Sequence, residues 1–260
     1  MSARSFLVVV ATAARRSLAD RSALALALGF YVVVVTVLSA LWRAAAESGH
    51  GTVAGYSAAA LTWYITASEA ATVSLNIRLI EQIGDDIASG AVATELLRPA
   101  SVLGVRMASS IGNALPRLAA CLVVGAGMAL VTVGGPPSAG AFALALPALV
   151  LAVACNLAAQ HLFAAAAFWI RDARSTWFLY QKFVFILGGM LLPLEVLPDG
   201  LHRVAAALPF AAMAYAPARL LSGHFEPALL AGQLAWLLAL SFLAVTAFAA
   251  GERRLQVVGG

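Results

Sequence analysis

Five polar side chains interrupt otherwise apolar runs and are the first places to look for chemistry: Glu69, Arg117, Asn156, Gln160 and His161. An ionisable group inside such a run is costly unless it faces protein or water, so each is a functional candidate. Glu69 lies nine residues before Arg78 and Arg117 eleven after Arg106. At about 1.5 Å per residue, both are expected roughly 13–17 Å from the charged ends of their helices. On antiparallel neighbours they would meet as an ion pair, or sit apart against separate polar partners. Asn156 and Gln160 are four apart and share a helix face, with His161 adjacent. That face either lines a solute path or holds helices together at about 0.6 kcal/mol per polar contact.

Catalytic constellations are missing. The chain has no G-x-x-x-x-G-K-[ST], and its lysine, Lys182, follows Tyr180-Gln181 rather than a glycine loop, so the chain is not expected to cradle a nucleotide triphosphate. H-E-x-x-H, C-x-x-C and G-x-S-x-G do not occur either. His50, His161, His202 and His224 fall in different segments, which predicts no metal site. Cys121 and Cys155 sit in apolar runs, where a thiol behaves as a small hydrophobe. The expectation is a chain with no catalytic residue and no cofactor of its own.

The elements that must carry these residues follow from composition. Of 260 residues, 62% are apolar and 11% charged, with a mean hydropathy of +0.93; soluble domains run at about 45–50% and about 25%. At about 20 apolar residues per crossing, the length holds about six spans. The 16 basic residues are scattered among apolar runs, which argues against nucleic-acid binding. The predicted fold is an all-α membrane protein with six transmembrane helices in one domain, residues 1–260. Residues 1–21 read as an interfacial helix with Arg4, Arg15, Arg16 and Arg21 among headgroups. The spans are expected at Ser22–Trp42, Val53–Leu75, from near Met107 through Pro116 and Arg117, Ala141–Ile170, Ser175–Leu192 and Pro227–Gly251. The third and fourth are parted by Gly134-Gly135-Pro136-Pro137.

Two segments are neither spans nor plain loops. Residues 76–100 carry Ile77, Ile80, Ile83 and Ile87 at spacings of three and four among Arg78, Glu81, Asp85, Asp86, Glu95 and Arg98, the pattern of an amphipathic helix outside the bilayer. Residues 193–224 are punctuated by Pro193, Pro198, Pro209 and Pro217, which predicts short re-entrant helices whose irregular backbone is sheltered by protein. The basic residues place both termini and residues 76–100 in the cytoplasm, leaving Arg43, Arg203 and Arg219 outside.

The stretch Ile87-Ala88-Ser89-Gly90-Ala91-Val92-Ala93-Thr94-Glu95-Leu96-Leu97-Arg98-Pro99 resembles the segment of ABC type-2 exporter permeases in which a Ser-Gly pair is followed a few residues later by Leu-Leu-Arg-Pro. Gly188-Gly189-Met190-Leu191-Leu192-Pro193-Leu194-Glu195-Val196-Leu197-Pro198, followed by Ala207-Leu208-Pro209-Phe210, is similar to the proline signature preceding their last span. The likeness is greatest to permeases of the drug- and antibiotic-exporting class. It implies a bacterial cell-membrane subunit working with two copies of a separate ATPase, which holds the ATP and Mg, and with a second permease, identical or homologous. It implies that residues 76–100 form a coupling helix, with Glu81, Asp85, Asp86, Glu95 and Arg98 as ATPase contacts. Arg171, Asp172 and Arg174 would form a second, smaller contact, and Glu195, Asp199, His202 and Arg203 would stand at an extracellular gate. The alternatives for the charges are a solvated helix face and ordinary loop polarity.

Two rival functions remain at this level. An ion-coupled transporter needs titratable groups clustered mid-membrane, for which Glu69, Arg117 and His161 are the material. A structural subunit of another complex needs none. The cargo expected of an exporter with such apolar, alanine-rich spans is an amphipathic or lipid-like compound.

Overall fold

Side-chain caps set where most long helices begin. Ser2 accepts the backbone N–H of Ser5, Ser57 that of Ala60, Ser101 that of Gly104, Ser138 that of Ala141 and Asp172 that of Ser175, each satisfying a donor that the first turn leaves free. The computed structural model describes residues 2–48, 51–96, 101–170 and 172–258. Its helices are α1 (Ala3–Ala19), α2 (Arg21–Ser48), α3 (Ala58–Val73), α4 (Leu79–Ala88), α5 (Ala91–Leu96), α6 (Val102–Val133), α7 (Ala139–Ala165), α8 (Ala173–Leu187), α9 (Asp199–Ala207), α10 (Tyr215–Leu221) and α11 (Ala228–Val258). A two-stranded antiparallel hairpin, β1 (Thr52–Val53) and β2 (Tyr56–Ser57), joins α2 to α3.

Among the described residues four helices are long and apolar enough to cross a membrane: α2, α6, α7 with the 3-10 turn that extends it to Phe168, and α11 as far as Arg254. The all-α membrane class is as expected, but several boundaries differ from the sequence expectation. The second helix begins at Ala58 rather than Val53, because Ala54 and Gly55, at φ 48° and 85°, close a hairpin turn whose twist suits two short strands. With 16 residues, α3 is about 24 Å long. The fifth element, α8, spans 15 residues and stops at Leu187 rather than Leu192, where Gly188 and Gly189 follow and Gly189 has φ 66°. The third begins at Val102, five residues before Met107, because Ser101 caps it, and Pro116 sits inside it without ending it. The last continues beyond Gly251 to Val258.

The packing is centred on α3 and α7. Every residue of α3 from Ala60 to Ala71 is buried, as expected of a helix apolar on all sides. In α7, 56% of the most apolar stretch is enclosed by protein, against 17% in α2 and α11, so the latter two are peripheral. Polar side chains fasten the centre. Gln233 of α11 donates to the carbonyls of Ala148 at 2.9 Å and Ala212 at 2.8 Å. The irregular segment after α8 is held in the same way: Tyr64 donates to Gly189 O, Ser68 to Met190 O at 3.0 Å and the Trp42 indole to Leu191 O at 3.0 Å. Backbone that leaves the helix inside such a body must have its carbonyls satisfied by protein, and here α2 and α3 do so. The proline-punctuated stretch folds into a 3-10 turn (Leu194–Val196), α9 and α10, all too short to span.

Candidate functional site

A cavity of about 930 Å³ lies between α2, α3, α6, α7 and α8. One wall is α2, contributing only apolar groups, among them Leu26, Phe30, Val33 and Val37. The other walls bring together Glu69 of α3, Arg117 of α6, Asn156 and Gln160 of α7, and Trp177, Tyr180 and Gln181 of α8. The exposed side chains of Phe30, Val33 and Phe185 form its open side. Four of the five intramembrane candidates thus share one cavity. The fifth, His161, is fully buried and not among the lining residues; its Nδ1 lies 2.8 Å from Leu157 O.

The expected contact between Glu69 and Arg117 is not formed: the salt bridges among the described residues do not include it. Glu69 is 1% exposed and its Oε1 has no hydrogen-bond partner, nor has Arg117 Nε. Arg117 lines the same cavity as Glu69 and forms no ion pair among the described residues. Asp20, just before α2, is held below the usual carboxylate range, mainly by the N–H of Ala23 and the hydroxyl of Ser22, and to a lesser degree by Arg117. Counting residues along straight helices predicts equal depths, and both residues do line one cavity, but equal depth alone does not bring two side chains on different helices into contact. Asn156 and Gln160 share a face as expected: Gln160 Nε2 donates to Asn156 Oδ1 at 3.2 Å, and the Tyr180 hydroxyl donates to the same oxygen. Trp177 and Tyr180 were legible only as aromatic residues near a span end.

At the α4 end, Leu79, Ile80, Ile83 and Ile87 are buried against the bundle while Asp85 is exposed. The acidic candidates divide. Glu81 pairs with Arg78 at 3.1 Å, whereas Asp86 and Glu95 both grip Arg106 of α6, each at 2.8 Å. Around this clasp lies a second cavity of about 390 Å³, lined by polar groups that include Ser109, Ser110 and Asn113. A Cβ on Gly84 would collide with Ala173 Cβ, so α4 packs directly on the first turn of α8. The exposed Asp172 and Arg174 therefore lie beside α4. Asp172 is held below the usual carboxylate range, first by the Ser175 hydroxyl and then by the Ser175 N–H. Arg98 and Arg171 lie outside the described residues.

At the α9 end the four gate candidates do not act together. Glu195 accepts from the Tyr215 hydroxyl at 2.6 Å and pairs with Arg219, which also pairs with Glu226 at 2.7 Å and donates to the Tyr56 hydroxyl at 2.9 Å. This cluster ties the hairpin to the 3-10 turn, α10 and the start of α11. Asp199 and Arg203 are exposed on α9, joined by Arg203 Nε to the Asp199 carbonyl at 3.3 Å, and His202 Nδ1 lies 3.0 Å from Leu194 O. Sequence reasoning missed Arg219, Glu226 and Tyr56. The presence of Arg219 among small and apolar residues was the available signal.

A helical bundle with a partly polar cavity inside it and an amphipathic helix folded against one end defines a polytopic membrane protein of the solute-moving kind. A family model described as ABC-2 family transporter protein matches residues 32–259, and the chain belongs to that family. Its permeases are membrane transport subunits, generally non-catalytic, that work with ATP-binding subunits. No curated protein matches the chain.

Proposed function

We propose that the chain is the transmembrane permease of an ATP-driven exporter in a bacterial cell membrane. It moves an amphipathic or lipid-like compound, of the kind drug exporters carry, out of the cytoplasm. Two copies of a separate ATPase hold and hydrolyse the ATP and its Mg. The observation that carries this reading is the placement of α4: its apolar face is seated on the bundle, and its exposed Asp85 stands beside Asp172 and Arg174 at the start of α8. A stiff element touching several helix ends at once can transmit a push from a soluble partner, which a solvated loop cannot do.

In this reading α3 and α8, the latter continued by the irregular segment 188–192, complete six crossings with α2, α6, α7 and α11. Both termini and α4 face the cytoplasm, as the basic residues favour. The contact surface for the ATPase comprises Asp85, Asp172 and Arg174, with Arg171 next to Asp172 in sequence and Arg98 near the end of the segment 76–100. Glu81, Asp86 and Glu95 brace that surface from within. The exposed row Leu26, Phe30, Val33 and Val37 on α2, next to the open side of the large cavity, supports a second permease, identical or homologous, packing there. Asp199, His202 and Arg203 lie on the outer side, together with the cluster around Arg219.

Affinity purification of the tagged chain tests the proposal. The native chain is expected to bring down an ATP-hydrolysing partner, and Asp85→Lys together with Arg174→Glu is expected to release it while leaving the permease folded and in the membrane. Recovery of the native chain with no nucleotide-binding protein, or a map placing α4 on the external side, would overturn it.

A further inference from the structure

The large cavity carries more than a passage. We infer that it is a binding site for a lipophilic organic cation bearing N–H donors, with Glu69 as the counter-ion; this deepens the exporter reading and rests on it. Three observations converge. The carboxylate of Glu69 is 1% exposed, lines the cavity, and leaves Oε1 without a hydrogen-bond partner. Gln160, on the same wall, also has a buried Oε1 without a partner, while its amide nitrogen donates one hydrogen bond to Asn156. The aromatic rings of Phe30, Trp177 and Tyr180 line the same space.

A lone carboxylate removed from water must be neutralised by a proton or by an opposing charge. Arg117, a cation on the same wall, forms no ion pair with it. A carboxylate on the cavity wall without a hydrogen-bond partner calls for a donor, and ring faces attract a cation that has shed its water. The apolar wall of α2 suits the hydrocarbon part of the same molecule.

Equilibrium binding of rhodamine 6G, a fluorescent cation with N–H groups, to purified permease in phosphatidylcholine nanodiscs tests the assignment, with empty nanodiscs as the blank. Saturable binding is expected, displaced by tetraphenylphosphonium but not by tetraphenylborate, its anionic counterpart of similar size. Glu69→Gln should weaken binding by about ten-fold or more, equivalent to ~1.4 kcal/mol. Should that variant fail to fold, Val34→Trp decides instead, since Val34 lines the cavity and the larger ring fills it from the α2 side. A loss smaller than this, equal displacement by the borate, or no saturable binding overturns the inference. Co-purification of the ATPase, followed on the same preparations, separates the two readings. A retained ATPase without dye binding removes the cation site alone, and a missing ATPase removes the exporter reading whatever the dye does.

Discussion

The cluster around Arg219 shows how a few side chains hold the α9 end. Glu226 is kept below the usual carboxylate range chiefly by its hydrogen bond from Arg219. Its depressed pKa means that the folded chain binds the proton more weakly than the unfolded one. That contribution is complete above the ordinary value of 4.5 and is lost as pH falls through the lowered one. His224 is also lowered, first by burial and then by Arg219, so stability should begin to fall as pH drops below its ordinary 6.5. Thermal unfolding of the purified chain is expected to show both declines, and Arg219→Leu should flatten the lower one while costing about 2 kcal/mol at neutral pH. Lysine at that position should not restore the loss, because one ammonium cannot fork between Glu195 and Glu226. In the centre, Gln233→Leu removes two hydrogen bonds to the carbonyls of Ala148 and Ala212, and a melting-point loss equivalent to about 1 kcal/mol is expected. The intramembrane residues were legible because charge in an apolar run is conspicuous. Their partners were not: whether Arg117 meets Glu69 depends on how the helices are rotated against one another, which no helical periodicity encodes.

Among the elements, α4 keeps the amphipathic pattern read from the sequence at Ile80, Ile83 and Ile87, with Leu79 also buried. Ile77 precedes the helix and is exposed, and the helix ends at Ala88 instead of running through residues 76–100, with Gly90 at positive φ before α5. What periodicity did not reveal is that two of its acidic neighbours turn inward. Reversing Asp86 to Lys should unclasp Arg106 and loosen α4 and α5 from α6, raising protease sensitivity near Gly90. Reversing Asp85, which is exposed, should leave that sensitivity unchanged. Gly84→Val should force α4 off Ala173 and abolish ATPase association without touching a charge, measurable as loss of co-purification. The hairpin after α2 was read as part of a span because Val53 and Tyr56 are apolar; the turn at Ala54-Gly55 decides the matter through backbone angles that hydropathy does not register. The early end of α8 has a similar origin, since a glycine pair ends the helix while the apolar run continues.

For the whole molecule, the peripheral helices carry the rows that remain open. On α2 these are Leu26, Phe30, Val33 and Val37, and Val33 is 60% exposed. Val33→Cys should cross-link to a second permease under mild oxidation, the product appearing at twice the chain mass if the partner is identical. The native Cys121 and Cys155 are buried and should give no background. A chain that stays monomeric under these conditions, or cross-links only at random with lipid dilution, would refute a permanent pair of identical permeases. The enclosure of α3 also bears on biogenesis. The ribosome delivers α3, with its acidic Glu69, well before α7 and α10, which complete the cover that α2 and α6 begin. Until then this stretch must wait in the insertion machinery or beside an insertase. A nascent chain truncated after Val133 should therefore be handed to membrane proteases, whereas the full-length chain escapes them.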